Sequence, residues 1–207
     1  MIDRTAIVGL VFLVAGLAGR ATGMEFMQHP NASSMPAVTA ILATGEIEEG
    51  DVERLFEFLS QAEIRSNIAI YLASPGGSLY EGMRLGTVFK ERRIKTVVEG
   101  DQVCASACAL AFLGGRDKEG RPWRSSSSNS LLGFHAFSWA GTTPADADTT
   151  QMVVSDVLAY GQLVDAPLEL LILNFSTPSH TMYWLNQDEI CSLGIKLWDV
   201  LGDRFIC

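Results

Sequence analysis

Three short segments of this 207-residue chain carry residue types that could catalyse acyl transfer. The first, SPGG at residues 74–77, lies between an apolar run and a helical pattern. Adjacent glycines allow positive φ angles and a close approach of the backbone to a ligand. The amides of Gly76 and Gly77 could therefore face a developing oxyanion or another anion. An ordinary turn would use the same residues, and this segment alone does not separate the two interpretations.

The second segment, CASACA at residues 104–109, contains one hydroxyl group among very small residues. We expect Ser106 to lie at the mouth of a helix, where the helix dipole favours a developing alkoxide. The small neighbours leave room for a substrate carbonyl group. A buried serine bonded to its own helix is the alternative interpretation, and Cys108 is a weaker alternative nucleophile.

The third segment, LLGFHAF at residues 131–137, places one histidine in an apolar strand. A lone histidine in such a strand is commonly a core residue. A strand can also hold an imidazole rigidly beside a hydroxyl group, as a general base requires. Of the other two histidines, His29 lies in a predicted linker and His180 in a polar turn. His135 is therefore the candidate partner of Ser106.

The elements around these segments alternate between short strands and amphipathic helices, which predicts crossover units and a largely parallel sheet. Apolar runs predict strands at residues 38–44, 68–72, 94–98 and 131–137. Helical spacing follows the first two strands, and further helices are predicted near residues 103–113, 145–163, 165–173 and 187–192. The last helix ends at Gly194. The polar, serine-rich stretch at residues 116–130 is interpreted as a mobile surface loop.

The N-terminal 23 residues differ from the rest of the chain. An apolar run at residues 6–19 is followed by small residues, the order found in secretory signal peptides. This run is shorter than the ~20 residues of a spanning helix, and an uncleaved membrane anchor is the alternative. We predict a signal peptide or anchor at residues 1–23, a linker at 24–36 and one domain at 37–207. The protein would then be exported, either periplasmic or anchored facing the periplasm.

Charge and cysteine content restrict the partners. The formal net charge of −9 argues against nucleic acid as a binding partner.

The four cysteines allow three complete disulfide pairings. Cys104 and Cys108 could bond if Cys104 lies just outside a helix, although two small buried residues filling space would explain them equally well. Without a CxxC pair or a histidine cluster, we predict no metal site and no cofactor.

Taken in order, these segments resemble the proteolytic subunit of the Clp protease over roughly residues 38–200. The matching segments are LATGEI at 42–47, IYLASPGG at 70–77, GM at 82–83, ASACA at 105–109, FH at 134–135, WLNQDE at 184–189 and GI at 194–195. The resemblance implies an α/β fold, a single domain of stacked β-β-α units within the wider crotonase-like group. It further implies a homo-oligomer, since members of that family form rings through the helix that corresponds to residues 145–163.

The resemblance also implies a role for each residue of the site. Ser106 would be the nucleophile and His135 the general base. The backbone amides of Gly77 and Ala107 would form the oxyanion hole, and Gly76 would shape the turn. Each such amide is typically worth about 3–4 kcal/mol in the transition state.

One departure from the family pattern concerns the third member of its triad, an aspartate. The corresponding position falls at or near Pro178, and residues 174–180 contain no carboxylate. An uncompensated loss of this group would cost about 10⁴ in rate. Asp165 is a weaker candidate for the third triad member, because its sequence context is that of a helix cap. The groups that could orient His135 instead are the side chains of Ser179, Thr177 and Asn174, or a backbone carbonyl.

The leading prediction is a serine hydrolase, in the first instance a peptidase, that forms an acyl-enzyme. Cytoplasmic relatives receive unfolded chains from an ATP-driven ring, but an exported protein has no ATP supply. We therefore expect no ATPase partner, and we expect the substrates to be short peptides, unfolded segments or a membrane-linked substrate. The alternatives are a non-catalytic Clp-like scaffold or binding protein of the cell envelope and, third, an acyl-CoA enzyme.

Overall fold

A seven-stranded sheet forms the centre of the protein. The computed structural model describes residues 23–138 and 147–207. In this part of the chain the strands are β1 (Glu25–Gln28), β2 (Val38–Thr44), β3 (Asn67–Ala73), β4 (Ile94–Val98), β5 (Val103–Ala105), β6 (Arg124–Ser127), β7 (Leu131–Phe134), β8 (Tyr183–Trp184), β9 (Lys196–Asp199) and β10 (Arg204–Phe205). The main sheet has the order β1-β2-β3-β4-β6-β9-β10, and its five central strands are parallel.

A smaller sheet, of order β5-β7-β8, carries the segments that sequence analysis singled out. β5 pairs in parallel with β7, and β8 runs antiparallel to β7. The helices are α1 (Asp51–Gln61), α2 (Leu79–Arg92), α3 (Ala107–Phe112), α4 (Ala147–Leu163), α5 (Leu168–Ser176) and α6 (Gln187–Ser192). This arrangement is a mixed α/β fold in one domain, as predicted.

Close helix packing fixes α3 against α2. A Cβ atom on Gly82 would lie 2.6 Å from the carbonyl oxygen of Ala107, and one on Gly86 would lie 3.0 Å from that of Ala111. The absence of side chains at these two positions, one turn apart on α2, allows the backbones to approach. From the other side the Tyr160 hydroxyl of α4 donates a 2.7 Å hydrogen bond to the Leu110 carbonyl. The short helix that follows Ser106 is therefore held by both neighbours.

The predicted linker at residues 24–36 was wrong, because its first part is a strand. β1 pairs antiparallel with β2, and the Met24 amide donates a 2.8 Å hydrogen bond to the buried carboxylate of Asp51. His29 is also buried and bonds to Glu99. A short edge strand of mixed composition has too few residues to show a clear alternation of apolar and polar side chains.

The predicted surface loop at residues 116–130 was also wrong in part, since it contains β6. This strand is buried although it is polar: the hydroxyls of Ser126 and Ser130 bond to each other at 2.8 Å. Arg124 donates to the Val164 carbonyl, and burial, reinforced by the nearby charge of Arg116, lowers the pKa of Arg124 to about 10. Internal hydrogen bonds compensate for burying these groups, which composition alone does not reveal.

The N-terminal prediction lies outside the described residues apart from Gly23. In residues 23–138 and 147–207 no helix is both long enough and apolar enough to cross a bilayer. The first residues of the helix predicted at 145–163 are likewise outside the described part of the chain. From Ala147 to Leu163 that helix is present as α4.

Candidate active site

Ser106 lies at a sharp junction between β5 and α3. Its backbone angles are φ 57° and ψ −124°, a combination that residues with a side chain rarely adopt. The Ser106 amide donates a 3.0 Å hydrogen bond to the Gly133 carbonyl of β7. The prediction of one continuous helix over residues 103–113 was therefore wrong, because strand and helix meet at Ser106. A strained strand–turn–helix junction of this kind exposes the nucleophilic serine of α/β-hydrolases, and such strain is concentrated at functional sites.

Gly76 is in direct contact with this junction. A Cβ atom at Gly76 would lie 2.7 Å from both the Ala105 carbonyl oxygen and the Ser106 Cβ, and the residue has φ 104°. Its amide donates to the Ser74 hydroxyl at 3.1 Å. Gly76 therefore shapes the turn and its amide is already occupied.

The amides of Gly77 and Ala107 are available to a ligand. Within the described residues neither amide donates a hydrogen bond, and both residues line the same cavity as Ser106. Ile47 holds the glycine turn from the other side, because its amide donates to the Gly76 carbonyl at 2.7 Å and its carbonyl accepts from Ser78. The expected pair of oxyanion donors is thus placed beside the candidate nucleophile.

A cavity of about 450 Å³ unites the predicted site residues. Ser106, Gly77, Ala107 and His135 line it, as expected from the sequence. A cavity of about 360 Å³ elsewhere, between Thr39 and Phe58, contains no serine, cysteine or histidine among its described lining residues. The residues singled out by sequence analysis therefore meet in the cavity beside Ser106.

His135 faces this cavity just after β7, but it is not yet bonded to the serine. Within the described residues neither of its ring nitrogens makes a hydrogen bond, and Nδ1 is enclosed without a partner. The backbone is fixed next to it, since the Ala136 amide donates to the Thr177 carbonyl at 2.8 Å. Catalytic hydrogen bonds often shorten only when substrate binds, so the arrangement is compatible with a Ser–His pair and does not display one.

Of the three side chains considered for orienting His135, one reaches the cavity. Asn174 of α5 lines the cavity and is 2% exposed. Its side chain makes no hydrogen bond within the described residues. Thr177 and Ser179 are not among the lining residues, and Ser179 is exposed. Asp165 is no candidate, because its carboxylate pairs with the buried Arg116 at 2.7 Å.

Two disulfides account for all four cysteines. Cys104 and Cys108, with Cα atoms 5.2 Å apart, join β5 to α3 across the Ser106 junction. Cys191 bonds to Cys207 and ties the C-terminus to α6. Cys104 and Cys108 are both buried, and Cys108 as a disulfide offers no thiolate nucleophile. The first bridge instead braces the strained backbone at Ser106.

Similarity to solved structures identifies the fold. One similar structure is a mutant of the 1510-N membrane-bound stomatin-specific protease, with 16% sequence identity, 77% of each chain covered and a TM-score of 0.55. Another is the ClpP protease catalytic domain from Plasmodium falciparum, with 21% identity, 77% of this chain and 82% of that chain covered and a TM-score of 0.53. The fold is Clp-protease-like. No family model matches the sequence, and no curated protein matches it.

Within this Clp-protease-like fold, sequence reasoning missed part of the cavity wall. Glu46 and the apolar residues Leu79, Leu110 and Phe137 also line it. Glu46 directly precedes Ile47, which pairs with Gly77. Glu46 lies in one of the sequence segments that resemble the Clp protease. That resemblance did not predict the direction in which the Glu46 side chain points.

The contact between Gly76 and the Ser106 junction predicts a large effect of Gly76→Ala. The new methyl group would collide with backbone and side-chain atoms and also disfavour the positive φ angle, so we expect a loss of more than about 2 kcal/mol in the free energy of unfolding. Urea denaturation followed by circular dichroism measures this loss. Gly120→Ala is the matched control, because Gly120 also has a positive φ (82°) but open space around its Cβ position. It should lose only about 1 kcal/mol, and equal losses in the two variants would contradict the contact.

Proposed function

We propose that the protein is a serine hydrolase that cleaves peptide bonds through an acyl-enzyme. The observation that supports this most directly is the strained backbone of Ser106, which places the residue at a cavity shared with His135 and two unoccupied amides. A protein gains no stability from such strain. A partly exposed hydroxyl group with an imidazole and free N–H donors in one cavity provides the groups that acyl transfer needs.

In the proposed reaction the Ser106 Oγ attacks the carbonyl carbon of the substrate, while His135 accepts the hydroxyl proton. The carbonyl oxygen becomes an oxyanion that the amides of Gly77 and Ala107 stabilise. When the tetrahedral intermediate collapses, the carbon–nitrogen bond breaks and His135 passes the proton to the leaving amine. Water then attacks the acyl-enzyme, again with His135 as base, and releases the acid and free Ser106.

Asn174 is the proposed positioning residue for His135. It is buried in the cavity wall, its side chain is unpartnered within the described residues, and the enclosed Nδ1 of His135 lacks a partner as well. An asparagine carbonyl can accept a hydrogen bond from an imidazole N–H and fix its tautomer, as in Cys-His-Asn proteases. It stabilises the imidazolium less than a carboxylate does, because it carries no charge.

The second candidate function is a non-catalytic scaffold. The specific observation in its favour is that the Ser106 hydroxyl and the His135 ring make no hydrogen bond to each other within the described structure. A chain that had lost catalysis would have no need to keep this contact. The strained Ser106 backbone and the two free amides favour the hydrolase over this alternative.

Export from the cytoplasm is part of the proposal. The apolar run at residues 6–19 has the composition of a signal peptide or anchor, and all four cysteines are paired in disulfides, which persist in oxidising compartments. Without ATP an unfolding ring has no energy source there. We infer that short peptides or already unfolded segments are the substrates.

A fluorophosphonate probe tests the hydrolase. We expect it to label wild-type protein and to fail with Ser106→Ala, since phosphonylation requires the serine oxygen to displace fluoride. His135→Ala should reduce the labelling rate by at least about 100-fold, because the base is lost. His180→Ala, at an exposed histidine outside the cavity, is the control and should label normally. Absence of labelling in wild type between pH 6 and pH 9 would favour the scaffold.

The role of Asn174 is tested by two substitutions with opposite expected effects. Asn174→Ala should slow labelling about tenfold, whereas Asn174→Asp should accelerate it about tenfold by restoring the charge that stabilises an imidazolium. The readout is the rate of probe incorporation per folded protein. A purely structural asparagine would give slower labelling in both variants, and that result would remove Asn174 from the site.

Export is tested by counting thiols in protein isolated from its native compartment. Alkylation in denaturant without reductant should modify no cysteine, and alkylation after reduction should modify all four. Intact mass spectrometry measures the number of alkyl groups. Free thiols in the freshly isolated protein would indicate a reducing compartment and would contradict the exported location.

A further inference from the structure

Glu46 places a carboxylate at the cavity beside Ser106. Its side chain is exposed, lines the cavity and makes no hydrogen bond or ion pair within the described part of the chain. Among the described residues of the cavity wall there is no lysine or arginine, and Glu46 is the one acidic side chain. A ligand entering the cavity therefore meets a negative charge that no lysine or arginine of the described cavity wall neutralises.

The position of this carboxylate is set by the backbone pairing beside the glycine turn. Gly45 bonds to β3 through the Ala73 carbonyl, and Ile47 pairs with Gly77. Because neighbouring side chains of an extended segment point to opposite sides, the buried Ile47 faces the core and Glu46 faces the cavity. A Cβ atom at Gly77 would lie 3.0 Å from the Glu46 Cγ. The Glu46 side chain thus starts next to Gly77, the residue whose amide is proposed to bind the carbonyl oxygen.

The rest of the cavity wall suits the stem of a long side chain. Leu79, Leu110 and Phe137 provide apolar surface. Lysine and arginine combine an apolar stem with a cationic end, so they can contact this surface and the carboxylate at once. A substrate carboxylate would be repelled by Glu46, and an uncharged side chain would gain only the apolar contact.

We propose that Glu46 makes the site selective for substrates with lysine or arginine at the residue that supplies the scissile carbonyl group. The assignment of that residue rests on the proposed function, because Gly77 and Ser106 define where the reacting carbonyl lies. The net charge of −9 acts in the same direction, since an acidic protein attracts cationic peptides.

Two chromogenic peptides test the selectivity. They are p-nitroanilides of identical sequence that end in lysine or in norleucine, which has an unbranched apolar chain without the ammonium group. We expect wild-type kcat/KM to favour lysine by about fivefold, the upper range for an ion pair open to solvent. Glu46→Gln should bring the ratio close to one, and 1 M salt should reduce it in wild type by screening the charges.

Glu49→Gln is the matched control, because Glu49 is an exposed glutamate three residues away that does not line the cavity. Its lysine-to-norleucine ratio should equal that of wild type. An unchanged ratio in Glu46→Gln, in protein whose Ser106 reacts with the fluorophosphonate probe, would overturn the selectivity and leave the hydrolase intact. Failure of Ser106 to react at all would overturn the proposed function and this inference with it.

Discussion

The approach of Gly76 to the Ser106 junction is the contact on which the site depends. Backbone hydrogen bonds bring the two segments together: the Ser74 amide donates to the Val103 carbonyl at 2.8 Å, and the Ala105 amide donates to the Ser74 carbonyl at 3.1 Å. These bonds leave no room for a side chain at Gly76. As a result the free amide of Gly77 and the free amide of Ala107, which belong to different crossover units, face one cavity.

The two halves of the site differ in how firmly they are held. Ser106 is fixed on several sides, by the Gly133 carbonyl, by the disulfide that spans it and by the packing of α3 between α2 and α4. Such support is what allows a strained backbone to persist. His135 is fixed at its neighbour Ala136, while its ring makes no hydrogen bond within the described residues. In the proposed reaction, substrate binding would complete the histidine half of the site, while the backbone around Ser106 is already in place.

The proposed site has a weaker electrostatic design than a serine–histidine–aspartate triad. In place of a carboxylate that could orient His135, we propose Asn174, a neutral amide that is buried in the cavity wall. A neutral group can orient an imidazole but contributes less to stabilising its charged form. The negative charge in the cavity is instead supplied by Glu46, which lies beside the glycine turn. The proposals thus assign orientation of the base and attraction of a cationic substrate to separate side chains.

The sequence by itself determined the alternation of strands and helices, the boundaries of β2 and the candidates Ser106, His135 and Gly77, because periodicity and residue type are local properties. It did not reveal β1 or the polar, buried β6, whose stability depends on partners distant in the chain such as Asp51 and Val164. Only the tertiary structure decided that Asn174 and not Ser179 reaches the cavity, and that Glu46 faces it. The reason is geometric: crossover connections and backbone pairing bring residues from five separate segments to one place, and spacing along the chain does not encode the distances between them.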